Sequence, residues 1–111
     1  MGKYPMKTVI WISYDLGVRG DYEGIYAFLD AHGAKECGDS IAFLSFEYED
    51  DLIAELKAKI EEYVDLQPRS RIYVLSRDNG RYKGRFVFGH RKRAPWAGYA
   101  GRDSEEEDDI E

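Results

Sequence analysis

Asp15 is the carboxylate best placed for chemistry in this sequence. It follows directly on Thr8-Val9-Ile10-Trp11-Ile12-Ser13-Tyr14, an apolar run rich in β-branched and aromatic residues. A carboxylate at a strand end can hold a hard cation such as Mg²⁺, which then orients a water against a phosphoryl oxygen. One carboxylate is a poor Mg²⁺ site alone, and two copies meeting at a dimer axis would supply a second. The competing use is a turn cap, because Asp15-Leu16-Gly17 lets the side chain bond its own backbone two residues on.

A second set of residues could hold phosphate. Arg81, Lys83 and Arg85 recur at period two and so share one strand face, with Tyr82 and Phe86 on the other. Arg91-Lys92-Arg93 would extend that track, and Trp96 or Tyr99 could stack on bases. The same charges also suit an edge strand protected against sheet-to-sheet pairing. Cys37 beside Glu36 reads as a small core residue, since an acidic neighbour disfavours thiolate. His32 falls at a helix end, where a cation complements the dipole. His90 borders three bases, which would favour its neutral form. No Walker loop, G-x-S-x-G, H-E-x-x-H or GxGxxG pattern is present, which argues against the hydrolase and nucleotide-binding classes those motifs define.

These residues need elements to position them. Residues 8–14 predict a central strand buried on both faces. Asp21 is the expected N-cap of a helix from Tyr22 to about His32, with Tyr22, Ile25, Tyr26 and Leu29 on one face and Phe28 beside them. Gly24 weakens that helix by about 1 kcal/mol relative to Ala, and Gly33 stops it. Ala34 to Cys37 and Ser40 to Phe46, parted by Gly38-Asp39, suit a bent hairpin or one bulged strand. Asp50 or Asp51 caps a second helix facing inward with Leu52, Ile53, Leu56, Ile60, Tyr63 and Val64. That helix gains an i,i+4 pair from Glu55 to Lys59 and ends at Gln67-Pro68. Strands at 71–76 and 81–88 flank the turn signal Asp78-Asn79-Gly80.

The order predicts an α+β fold, a ferredoxin-like βαββαβ sandwich with an extra C-terminal strand. Helices would cover one side of the sheet, and a second copy is the natural cover for the other, giving a homodimer. Residues 1–90 form the ferredoxin-like domain, 91–102 a basic irregular extension, and 103–111 an acidic tail expected to be disordered.

With 111 residues, 43% of them hydrophobic, the chain has enough apolar surface for one modest core. The net charge of −6 conceals segregation. Residues 1–68 hold 6 Lys/Arg and 14 Asp/Glu, a net −8, while residues 69–102 hold 10 Lys/Arg against Asp78 alone, a net +9. The seven acids of the tail, with no base among them, would solubilise the chain or compete with phosphate for the basic third. No apolar run suits a membrane span, the first residues show no signal-peptide core, and one cysteine makes no internal disulfide. A reducing cytoplasm is the expected setting, with no membrane partner.

A family resemblance runs through Val9 to Asp15 with the helix ending Phe28-Leu29 and Gly33, then Ser40-Ile41, the second helix followed by Arg71 to Ser76, and finally Gly84-Arg85-Phe86-Val87-Phe88-Gly89-His90. The chain resembles the small CRISPR-associated subunit of the spacer-integration complex, and is similar to that subunit's distant relatives, the virulence-associated protein D toxins. The resemblance spans about Thr8 to His90 and implies a ferredoxin-like homodimer whose last strand pairs with the partner's sheet. It implies an integrase-type protein partner, nucleic acid as ligand, and a metal-dependent endonuclease activity. On that reading Asp15 is catalytic and binds Mg²⁺ at the dimer axis, with Tyr14 matching the aromatic often found before it. Arginines that the family commonly carries on the first helix are missing here, and Arg19 lies ahead of the cap. A non-catalytic dimeric adaptor or regulatory module of the same fold is the alternative.

Overall fold

The computed structural model describes residues 5–102. Seven elements follow one another: β1 (Met6–Asp15), α1 (Tyr22–Ala31), β2 (Lys35–Glu36), β3 (Ile41–Tyr48), α2 (Leu52–Tyr63), β4 (Arg71–Asp78) and β5 (Arg81–Phe88). The strands make one five-stranded antiparallel sheet in the order β2-β3-β1-β4-β5, so the chain is α+β. That arrangement is compatible with a ferredoxin-like fold carrying an additional strand at one edge. The acidic segment 103–111 lies outside the described residues.

Both helices pack on one face of the sheet. Ile10 and Ile12 of β1, Ile25 and Phe28 of α1, Leu56 and Ile60 of α2, and Ile72 of β4 are fully buried. Tyr26 is 54% exposed and Phe28 takes the interior place, so the α1 stripe is turned relative to the sequence expectation. Gly24 is an asset here, because a side chain in its place would run into the Asp21 carboxylate and the Tyr63 carbonyl of α2.

Helix ends follow local chemistry. Asp21 accepts from Gly24 N–H at 2.9 Å and also from Asp65 N–H at 2.8 Å, tying the start of α1 to the exit of α2. Asp51 is the cap of α2, and the Glu55 carboxylate collects the N–H groups of Glu49, Asp50 and Asp51 at 2.8–2.9 Å. Lys59 reaches Glu62 at 3.4 Å. The helix stops at Tyr63, four residues short of Gln67, where Val64 turns extended.

β1 corrects the expectation of burial on both faces. Its even positions Ile10, Ile12 and Tyr14 are buried, while Val9, Trp11 and Ser13 look out from a side on which no second layer lies among the described residues. A run of apolar residues records that both faces are hydrophobic, not that both are covered. The segments around Gly38-Asp39 form a hairpin, β2 pairing with β3 through Lys35↔Phe43 and Glu36↔Ala42. β5 folds back on β4 of its own chain through Asn79 (φ 53°) and Gly80 (φ 78°), a pair of positive φ values suited to a tight hairpin. Cys37 is exposed on the β2–β3 connection and is not a core residue.

Candidate phosphate-binding site at the end of the sheet

The ladders decide which side chains share the uncovered face. Trp11 lies opposite Phe43 on β3 and Leu75 on β4, and Ser13 lies opposite Tyr73. Tyr73 in turn lies opposite Phe86, and Arg77 opposite Tyr82. The bare face is therefore a continuous apolar and aromatic surface, with Trp11 and Phe43 6.2 Å apart and Tyr73 and Phe86 4.9 Å apart between ring centres. A hollow of about 540 Å³ opens at its hairpin end between Lys7, Trp11, Arg77 and Tyr82.

The opposite end is the charged one. A bulge in β5 pairs Ile72 with Phe88 and Tyr73 with Phe86, so that Val87 has no partner in the ladder and enters the core. Gly89 follows with φ 79°, passing so close to β4 that a Cβ there would come within 2.7 Å of the Ser70 carbonyl and of the Arg71 side chain. This tight passage carries the basic extension round the sheet's rim. Arg91 lies over the Phe86 ring at 5.7 Å, and Arg71 lies over the same ring at 5.9 Å. A guanidinium resting on an aromatic face keeps its N–H donors free at the edge for carboxylate or phosphate.

Asp15 belongs to this cluster. It faces Arg71 across the β1–β4 ladder, and Arg71 Nη2 donates to its Oδ2 at 2.9 Å. Gly17 N–H donates to Oδ1 at 3.3 Å, the turn-capping contact. The Arg71 hydrogen bond, aided by Gly17 and by the charges of Arg71 and Lys92, holds the carboxyl below its ordinary range. Both oxygens are engaged and the neighbouring charge is positive. Among the described residues no three His, Cys, Asp or Glu side chains gather as a cation site. This donor set does not suit a hard cation as it stands, because Mg²⁺ would have to displace Arg71.

Tyr14 is not brought to Asp15. It points to the helix side, where its hydroxyl donates to the Asp39 carbonyl at 3.5 Å and its ring meets Tyr26 edge-on. Burial, then the neighbouring Tyr26 and Tyr22, push its phenol up, which keeps it a neutral donor. The basic track divides. Arg81, Lys83 and Arg85 are exposed on the helix side of β5, with Lys83 3.5 Å from Asp78, whereas Arg91 crosses to the aromatic side. Lys92 and Arg93 are exposed beyond it, as are Trp96 and Tyr99. His32 has a structural place, its Nδ1 2.8 Å from the Phe28 carbonyl and its ring against Phe28 and Phe46.

Sequence reasoning passed over Arg71 as a site residue and treated Phe86 only as an apolar alternate. The available signal was the period-two phase of 71–76, which puts Arg71 and Tyr73 on one face. Comparison with family models, with curated proteins and with solved structures returns no match for the chain. No helix among the described residues is long and apolar enough to cross a membrane.

Proposed function

We propose that the chain is a nucleic-acid-binding module of ferredoxin-like type that works as a homodimer. A second copy covers the bare aromatic face of the sheet, and the rim formed by β5 and residues 90–93 grips phosphates. The convergence of Arg71 and Arg91 on the Phe86 ring supports this reading most directly, since both guanidiniums are held in place beside an open surface. The half-buried Trp11, Phe43 and Leu75 support the dimer, because an aromatic sheet face left in water gains by association. Asp15 is read as a support for Arg71 and a cap for the following turn, which favours the non-catalytic form of the module.

Sedimentation equilibrium and anisotropy titration with single-stranded RNA and DNA test this. The wild type sediments at twice the chain mass, a folded Trp11→Glu variant sediments as a monomer, and binding weakens steeply with salt. A monomeric wild type, or oligonucleotide affinity that salt leaves unchanged, overturns the proposal. Cleavage in Mg²⁺ that Asp15→Ala abolishes would replace it with the phosphodiesterase reading.

A further inference from the structure

At the outer rim of the sheet, Arg85, Phe86, Gly89, His90 and Arg91 frame a hollow of about 500 Å³. Of the four side chains, two are guanidiniums, one is an imidazole, and the Phe86 ring forms an apolar wall. Arg91 is fixed against that ring, and Arg71 backs the ring from β4 while Asp15 holds Arg71. Gly89, with φ 79°, admits the sharp turn after β5, and Arg85 from the helix side and Arg91 from the aromatic side both border the hollow at the strand's outer edge. A planar donor fork anchored on an aromatic surface favours an oxyanion with several acceptor oxygens over a single carbonyl or hydroxyl. The hollow has room for one nucleotide unit.

We infer that this hollow is a subsite for the phosphate of one nucleotide unit, with Arg91 and Arg85 as its ligands and Phe86 as the post that orients Arg91. The inference rests on the nucleic-acid reading above and names the ligand of its rim. The phosphate is either a backbone diester or a terminal monoester, and the two share the recognition chemistry.

The test compares a 5′-hydroxyl oligonucleotide, its 5′-phosphorylated form and a free nucleoside monophosphate. Anisotropy follows the oligonucleotides, and amide chemical shifts of the full chain follow all three ligands. Arg91→Lys keeps the charge and loses the fork, while Phe86→Leu keeps every charge and loses the post. Each lowers oligonucleotide affinity about tenfold, and Phe86→Leu does so with an unchanged salt slope. Arg81→Ala, farther along the rim, instead lowers the salt slope by about one with a smaller loss. Preference for the 5′-phosphorylated strand assigns the site to the terminal monoester, and equal binding assigns it to the backbone. Folded Arg91→Lys and Phe86→Leu variants that bind oligonucleotides as the wild type does would overturn the subsite and leave the binding module intact. Shifts of Gly89, His90 and Arg91 with the mononucleotide, in a protein that binds no oligonucleotide, would keep the subsite and remove the nucleic-acid reading. Absence of both responses removes both.

Discussion

Arg71 stands directly opposite Asp15 across the β1–β4 ladder, and the two side chains meet at 2.9 Å although 56 residues separate them in sequence. The pair links the first strand to the cluster at the end of the sheet. It also gives the most prominent carboxylate of the sequence a structural partner.

Stability should depend on this pair in a definite pH direction. The Asp15 carboxyl is held below its ordinary value, chiefly by Arg71, so its contribution is present above the unfolded value near ~3.9 and fades as pH falls through the folded one. Asp15 is 54% exposed at its side chain, and solvent screening keeps the contribution to about 1 kcal/mol or less. Urea unfolding should find Asp15→Asn less stable than wild type near neutrality, with the gap closing in acid. A gap that persists unchanged at acid pH would contradict the pairing.

Tyr73 and Gly84 should be coupled. The Tyr73 ring lies so close over Gly84 that a methyl group there would collide with its hydroxyl and ring carbons. The hydroxyl is buried without a hydrogen-bond partner among the described residues, so Tyr73→Phe is expected to be neutral or slightly stabilising. Gly84→Ala should cost about 1–3 kcal/mol in the wild type, and much less in a Tyr73→Ala background. Equal costs in the two backgrounds, measured by denaturant titration, would show that the ring does not occupy that space.

Gly89→Ala should damage the charged end specifically. The position has a positive φ, and the added methyl would press on the Ser70 carbonyl. The expected result is a loss of about 1–3 kcal/mol in stability and displacement of Arg91 from Phe86, seen as a changed ring environment by NMR. An unperturbed Phe86 signal would mean that the turn does not set Arg91.

The legible part of this fold was the local part. The β-branched run before Asp15, the caps Asp21 and Asp51, the Asn79-Gly80 turn and the alternation through β5 all depend on neighbours a few residues apart. The α+β class and the succession of elements followed from them. Register and coverage were less legible. The Asp15–Arg71 contact requires knowing how two strands 56 residues apart align, and no local pattern states that. Likewise, the apolar phase of Val9 and Trp11 cannot show whether another layer of the same chain lies above. Tyr26 and Phe28 stand roughly 160° apart around α1, so which ring is buried depends on how the helix is turned onto the sheet, and the apolar stripe alone leaves that open. The family resemblance pairs Tyr14 with Asp15, but consecutive strand residues look to opposite sides of the sheet.

β5 is also the outermost strand of the sheet, and among the described residues no further strand pairs with its outer side. Such a margin invites the same margin of a second copy to pair with it edge to edge. Arg81, Lys83 and Arg85 repel an identical margin by their like charge. Under the proposed function a bound polyanion would cancel that repulsion, so occupancy of the rim and resistance to edge-to-edge pairing are opposed.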